Sequence, residues 1–235
     1  MRLDKACLEH FMTRCKAQDA IKEGRVYVNH KCIRKPSFEV NEKDTIEVLS
    51  KEEEFVSRAA YKLKAAFDTF QFSIENQIVL DVGASTGGFT DLCLKKGAKK
   101  GHLQLAKELE KDDRVIKMEG KNARYLESDW FSDSIDFICM DVSFISCKTI
   151  LETLFKQLDP FHIAILIKPQ FECGPQFLNK QGVLKDKKVQ QKIVESIQNY
   201  VLTYYKVVHV IPCPITGRSG NQEFILYAKE RRSHD

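Results

Sequence analysis

Apolar residues recur along this chain in two rhythms, and the change from one to the other marks out its parts. Leu3, Cys7, Leu8 and Phe11 fall at helical spacing, and so do Ala17, Ala20 and Ile21 after Thr13, a residue suited to an N-cap. Gly24 is placed to end that second helix. From there the period drops to two. Val26 and Val28 alternate with Arg25 and Tyr27, Asn29-His30 supplies a turn, Cys32-Ile33 resumes the strand, and Asp44 to Leu49 reads as a closing strand. The charge run Lys51-Glu-Glu-Glu54 has the character of a linker. The pattern predicts a small α+β module over residues 1–50, a linker over 51–54 and a second module over 55–235.

The second module opens with F-V-S-R-A-A-Y-K-L-K-A-A-F, which predicts a helix capped by Ser57. Tyr61, Leu63, Ala66 and Phe67 share its apolar face, and Lys62 points away from that face, toward a sheet edge or a cleft. Ile78-Val79-Leu80 reads as a short buried strand ending at Asp81. Further strands are expected at 114–118, 135–140, 163–167, 207–211 and 223–227, with helices between most of them, notably over 147–157 and 186–205. Strands alternating with helices predict a doubly wound α/β domain whose mostly parallel sheet is covered on both faces. In such sheets ligands bind beyond the carboxyl ends of the strands. Three of these apolar strands finish in a charged residue, Asp81, Asp141 and Lys168, which points to one shared cleft. A purely structural Asp141–Lys168 ion pair is the other reading of the same spacing.

Composition narrows the class. A chain of 235 residues with 43% hydrophobic positions suits one α/β domain and a small appendage. No apolar run approaches the ~20 residues of a membrane span, and M-R-L-D-K-A has no signal core, so a cytoplasmic protein is expected. The cysteines stand at 7, 15, 32, 93, 139, 147, 173 and 213 with no C-x-x-C pair, which argues against a zinc site and for small core residues. Net charge of +4 permits an anionic partner. Up to Lys35 the first module sets nine basic residues (Arg2, Lys5, Arg14, Lys16, Lys22, Arg25, Lys31, Arg34, Lys35) against Asp4, Glu9, Asp19 and Glu23, a surplus suited to phosphate contacts.

The candidate chemistry starts at Asp81. Gly83, Gly87 and Gly88 allow a tight turn and close approach to a ligand before Phe89, Leu92, Cys93 and Leu94 begin a helix with unsatisfied amides at its start. No lysine lies between Asp81 and Leu94, so a P-loop is excluded, and Ser85 breaks the dinucleotide fingerprint G-x-G-x-x-G. The pattern D-x-G-x-S-x-G-G-F resembles the S-adenosyl-L-methionine loop of class I methyltransferases.

Two resemblances cover nearly the whole chain. R-L-D, T-R-x-x-A-x-x-x-I-x-x-G-x-V-x-V-N and D-x-I-x-V resemble the S4 RNA-binding domain, which implies helix-based contacts to structured RNA through Arg2, Arg14, Lys16, Lys22 and Arg25, with Arg58 beyond the linker. S-R-A-A-Y-K-L, L-D-V-G-A-S-T-G-G-F-T-D, M-D-V-S-F-I-S, I-K-P-Q-F-E-x-G, K-x-G-V-x-K-D and P-I-T-G-x-x-G-N-x-E-F, in this order, resemble the TlyA (hemolysin A) family. That family joins an S4 domain to an FtsJ-like ribose 2′-O-methyltransferase of Rossmann-like fold. The resemblance implies S-adenosyl-L-methionine-dependent methylation of cytidine ribose in ribosomal RNA within ribosomal subunits, with no metal. It implies a catalytic tetrad at Lys62, Asp141, Lys168 and Glu223, and cofactor contacts from Asp81, Gly83, Ala84, Ser85, Thr86, Gly87, Gly88, Phe89, Asn122 and Asp141. A ribose hydroxyl is a poor nucleophile and must be oriented and stripped of its proton. Lys168 would stabilise the developing alkoxide or, if neutral, accept the proton, while Lys62 and Glu223 complete the network.

The chain departs from the family at two places. S-R-G-G is S-R-A-A here, a change that trades flexibility for helix propensity. After Gly97-Ala-Lys-Lys100 the chain goes straight to Gly101-His-Leu-Gln-Leu-Ala, which resembles the segment following a strand that ends in a ribose-binding aspartate. About six residues are missing against the length of an average strand. Three readings stand side by side: residues omitted from the chain as given, a 114–118 strand moved inward with Glu119 taking the ribose contact, or a weakened cofactor site. The last leaves an S4-containing ribosome-binding protein as the alternative function, and the family's older name adds a hemolysin-type one.

Overall fold

A computed structural model describes residues 1–11, 13–41, 43–48, 55–103, 109, 112–118, 120–217 and 219–233. The chain divides into two compact units, Met1–Glu54 and Phe55–Asp235. The linker expected over 51–54 lies outside the described residues, as does Glu119.

The first unit contains helices α1 (Leu3–Ala6) and α2 (Arg14–Glu23) and strands β1 (Val26–Val28), β2 (Lys31–Cys32) and β3 (Ile46–Val48), in an antiparallel sheet of order β2-β1-β3. Thr13 caps α2, its Oγ1 accepting from the Lys16 amide at 3.3 Å, and Gly24 ends the helix at φ +80°, a conformation that costs a β-carbon-free residue nothing. Asn29 and His30 both have positive φ, +50° and +64°, which gives the two-residue turn whose twist suits a hairpin. Leu3, Cys7, Ala17, Ala20, Ile21, Val26 and Val28 come from both helices and the sheet to form one buried core.

The second unit is a seven-stranded sheet of order β6-β5-β4-β7-β8-β10-β9. Its strands are β4 (Ile78–Val82), β5 (Lys100–Leu103), β6 (Val115–Lys117), β7 (Phe137–Met140), β8 (His162–Ile167), β9 (Tyr205–Pro212) and β10 (Phe224–Arg231). The pairs from β6 to β8 are parallel, and β10 runs antiparallel between β8 and β9. Every residue of β7 and β8 is buried, as expected of central strands covered on both faces. One face packs against α5 (Cys147–Gln157) and α6 (Lys187–Leu202), the other against α3 (Ala59–Phe70) and α4 (Gly88–Lys95). The chain leaves β4 toward β5 on one side and β7 on the other, so a switch point lies at the carboxyl end of β4.

Two expectations are corrected. The missing strand is present. Lys100-Gly-His-Leu103 forms β5 beside β4, with Leu80 opposite His102, and β6 pairs with the outer edge of β5 rather than moving inward. The β4 amides thus have their partners, as buried backbone groups require. The insertion of a polar residue has a cost: His102 is buried, neither ring nitrogen has a hydrogen-bond partner, and burial holds its pKa down. Its ring meets Phe131 edge-on at 5.3 Å. Second, Ser57 does not cap α3. Arg58 occupies that position without a side-chain cap, and the Ser57 carbonyl accepts from the Ala60 amide instead.

Candidate active site

A cleft of about 860 Å³ opens at the switch point, within the usual ~300–1,000 Å³ of small-molecule sites. Its walls are the end of β4 with the following loop (Leu80–Gly83, Ser85), the turn after β7 (Asp141–Ile145), and Met118, Gly120–Arg124, Leu126 and Trp130. Of the cofactor residues expected from sequence, Asp81, Gly83, Ser85, Asn122 and Asp141 line this cleft. Gly83 has φ +86°, and a Cβ on it would stand 2.6 Å from the Asp141 carbonyl oxygen, so only glycine lets the two strand ends approach. Ser85 is left-handed as well, at φ +51°. Thr86 is exposed, while Ala84, Gly87 and Gly88 are buried and shape the turn into α4. The Phe89 side chain is 2% exposed and packs in the core shared by α3, α4 and the sheet, because its place on α4 faces inward.

Asp81 lies within β4 rather than after it. Its Oδ2 accepts from the Thr90 amide at 3.0 Å and the Thr90 hydroxyl at 2.8 Å, which ties strand to helix, and its Oδ1 has no partner although it is buried. Burial pushes the carboxyl up to about 7, with the Asp141 charge adding to the effect. An orphaned buried acceptor in a cleft wall is a place for a ligand's donor.

The four tetrad positions are brought together as two ion pairs. Lys62 of α3 is 9% exposed and its Nζ meets Glu223 Oε2 at 2.5 Å, across 161 residues of sequence. Lys168 Nζ meets Asp141 Oδ1 at 2.5 Å and donates to Ser143 Oγ at 2.8 Å. Beyond this ion pair Asp141 Oδ1 has no further partner. Strand register explains the assembly. Phe224 pairs with Ile167 across the antiparallel β8–β10 ladder, so Glu223 stands opposite Lys168. Gln170 reaches Glu223 Oε1 at 3.4 Å, and Gly217 lies against the same oxygen where a side chain would not fit. The thiol of Cys213, pushed up to about 12 by burial, feels the charges of Lys62, Glu223, Asp141 and Lys168, which marks the two pairs as one cluster.

Residues beyond the expected set also converge here. Ser143 belongs both to the cleft wall and to the Lys168 contact. Phe144 is 88% exposed at the cleft, is held at φ +62°, and packs its ring 4.8 Å from Phe171. A bulky residue in the left-handed region is an outlier, and such strain concentrates at functional sites. That backbone state is not legible in sequence.

In the first unit, Arg2 and Arg14 come together on one carboxylate. Asp4 is wholly buried, and it accepts two bonds from Arg2 at 3.0 Å, two from Arg14 at 3.1 and 2.9 Å, and one from Gln18 at 2.7 Å. The Arg2 guanidinium, with Gln18 and Arg14, holds Asp4 well below the usual carboxylate range. Arg25 bonds Glu23 at 2.9 Å and stands over the Phe11 ring, Lys16 is half-buried at the start of α2, and Lys22 is exposed at its end. Arg58 is exposed in the second unit. Among the described residues there is no cluster of metal-ligating side chains, and no helix is long and apolar enough to cross a membrane.

Comparison with known proteins gives the same division. Residues 55–230 match the FtsJ-like methyltransferase family and residues 1–46 match the S4 domain. Hemolysin A of Brachyspira hyodysenteriae is 40% identical over 238 residues, covering 97% of this chain and 99% of its own. The 16S/23S rRNA (cytidine-2′-O)-methyltransferase TlyA of Mycobacterium tuberculosis is 32% identical, covering 97% of this chain and 89% of its own. A solved structure described as a hemolysin from Streptococcus thermophilus is 32% identical and aligns with a TM-score of 0.74 over 99% of this chain and 89% of that one. With its strand order, its switch-point cleft and its paired lysines and carboxylates, this chain belongs to the TlyA (hemolysin A) family of FtsJ-like methyltransferases carrying an S4 domain.

Proposed function

We propose that this protein methylates the 2′-hydroxyl of a cytidine ribose in ribosomal RNA, using S-adenosyl-L-methionine, with intact ribosomal subunits as its substrate. The observation that carries the reading is the cluster of Lys62–Glu223 and Lys168–Asp141 beside a cleft of cofactor size. The cleft suits the cofactor: Asp81 Oδ1 is an unfilled acceptor for an amino group, Gly83 leaves room for close approach, and Asn122 and Ser85 offer polar contacts. Bound there, the cofactor supplies an electrophilic methyl group on a sulfonium.

The remaining work falls to the protein's side chains. Lys168 offers an N–H to the ribose oxygen and so lowers the cost of removing its proton. Asp141, which lines the cleft beside Lys168, is the carboxylate to accept that proton. Lys62 and Glu223 are buried and mutually satisfied, which fixes them as a rigid support for the reacting ribose. Phe144 provides an exposed ring on which an unstacked base can rest, the way single-stranded RNA is commonly held. The first unit supplies phosphate contacts through its arginines and lysines.

The test is mass spectrometry of ribosomal subunits incubated with cofactor and either wild-type protein or Lys168→Ala. A methylated cytidine ribose is expected with wild type and none with the variant, while calorimetry shows the variant's cofactor affinity preserved. Unmodified RNA in both samples overturns the reading. Loss of cofactor binding in a folded variant moves Lys168 to the binding wall.

A further inference from the structure

Among the described residues, Asp141 and Ser143 both line the cleft and hold Lys168. An ammonium group is a donor only, so in the Lys168–Ser143 contact Ser143 Oγ must accept. The other contact of Lys168, to Asp141 Oδ1 at 2.5 Å, engages one N–H and leaves the ammonium free to turn about that axis. A lysine carries its charge on a flexible four-carbon stem, and a point charge imposes no orientation on its three N–H bonds. The 2.8 Å bond to Ser143 supplies that orientation.

We infer that Ser143 is a positioning residue for methyl transfer, acting through Lys168. The ammonium is tetrahedral. With one N–H directed at Ser143 and the charge drawn to Asp141, the direction of the remaining N–H bonds is set. One of them is thereby aimed at the ribose oxygen on the cleft side. Ser143 is itself held in place: Phe144, the next residue, is locked at φ +62° and packs on Phe171, three residues beyond Lys168. The two loops that carry Ser143 and Lys168 are thus joined by a ring contact as well as by the hydrogen bond. A serine placed only to line the cleft would need neither feature.

This inference rests on the proposed ribose methylation and is tested so that the two can fail separately. Wild type, Ser143→Ala and Ser143→Thr are compared by single-turnover methylation of ribosomal subunits, cofactor affinity by calorimetry, and thermal unfolding. Removing one hydrogen bond to a charged group predicts a fall of about ten- to a hundredfold in the Ser143→Ala transfer rate. Cofactor affinity and melting temperature should stay at wild-type values. Ser143→Thr keeps the accepting oxygen and should recover most of the rate. An unchanged rate in Ser143→Ala overturns the inference, and so does a loss matched by an equal loss of cofactor affinity. A threonine variant as slow as the alanine one, with melting temperature preserved, also overturns it. No transfer by wild type refutes the proposed reaction instead.

Discussion

Asp81→Asn isolates the cost of keeping a carboxylate under the cleft. In the wild type, burial pushes Asp81 up to about 7, against 3.8 for an ordinary aspartate. A carboxylate whose folded pKa is raised contributes most to stability when neutral, below the unfolded value, and that contribution is lost as pH rises toward the folded value. At pH 5 the unfolded chain has already lost most of this proton while the folded chain keeps it. By pH 8 both have lost it, and the folded state bears nearly the whole penalty, about 4 kcal/mol for a displacement of roughly three units. Between pH 5 and pH 8 the wild type should therefore lose about 2.5 kcal/mol relative to a variant that does not titrate here. Asparagine is that variant, since its amide oxygen still accepts from the Thr90 amide and hydroxyl that now bond Oδ2. Urea unfolding of both proteins without cofactor, at pH 5, 6, 7 and 8, gives the difference directly, and comparison within each pH cancels every other titrating group. The variant should gain on the wild type steadily with pH and overtake it by pH 8. A stability difference that is flat with pH would refute the assignment of Asp81 as a strained, buried acid. The same substitution should weaken cofactor binding, because a charged acceptor is exchanged for a neutral amide.

Three further outcomes follow from the geometry. Trp130 is the one tryptophan in the sequence and lines the cleft, so its fluorescence should change on titration with the demethylated cofactor product, and a silent signal alongside calorimetric binding would place the ligand elsewhere. Gly83→Ala forces a β-carbon into the left-handed region, at ~1–2 kcal/mol, and against the Asp141 carbonyl, so cofactor affinity should fall at least tenfold, whereas an unchanged affinity would mean the two strand ends need not touch. Lys16→Glu with Lys22→Glu should weaken RNA binding and lower the slope of log affinity against log salt by about 0.7–0.9 for each phosphate no longer neutralised, and an unchanged slope would free this helix from the RNA footprint. Arg14 is a poorer probe of that footprint, because its removal also strips the buried Asp4 of a partner.

What sequence revealed follows from where the physics is local. Gly24, Thr13 and Asn29-His30 act within a turn of themselves, and each was legible. Strands β7 and β8 read clearly because burial on both faces leaves a continuous apolar run. Strand β5 did not, since Lys-Gly-His-Leu has neither alternation nor an apolar run, and it is a strand only because β4 and β6 stand on either side of it. Lys62 illustrates the other limit. Its pattern on α3 leaves its partner open, and the carboxylate that meets it lies 161 residues away, which family resemblance supplied and periodicity could not. Ser143 and Phe144 stand within M-D-V-S-F-I-S, but a backbone in the left-handed region and a bond to a distant lysine leave no mark on that motif.

The reversed strand β10 has a consequence for how this site could be lost. Because it runs against its neighbours, its first residues sit beside the last residues of β8, and Glu223 faces Lys168 through a single pairing row. Slipping that ladder by one residue would turn Glu223 to the opposite face of the sheet and set Phe224 in its stead. Such a slip would also exchange Leu226 and Ala228, which pack with α5 and α6, for Ile225 and Tyr227, which pack with α3 and α4. A one-residue deletion between β9 and β10 that shifted this ladder would thus misplace Glu223 and the buried residues of β10 together, with all four site residues still encoded.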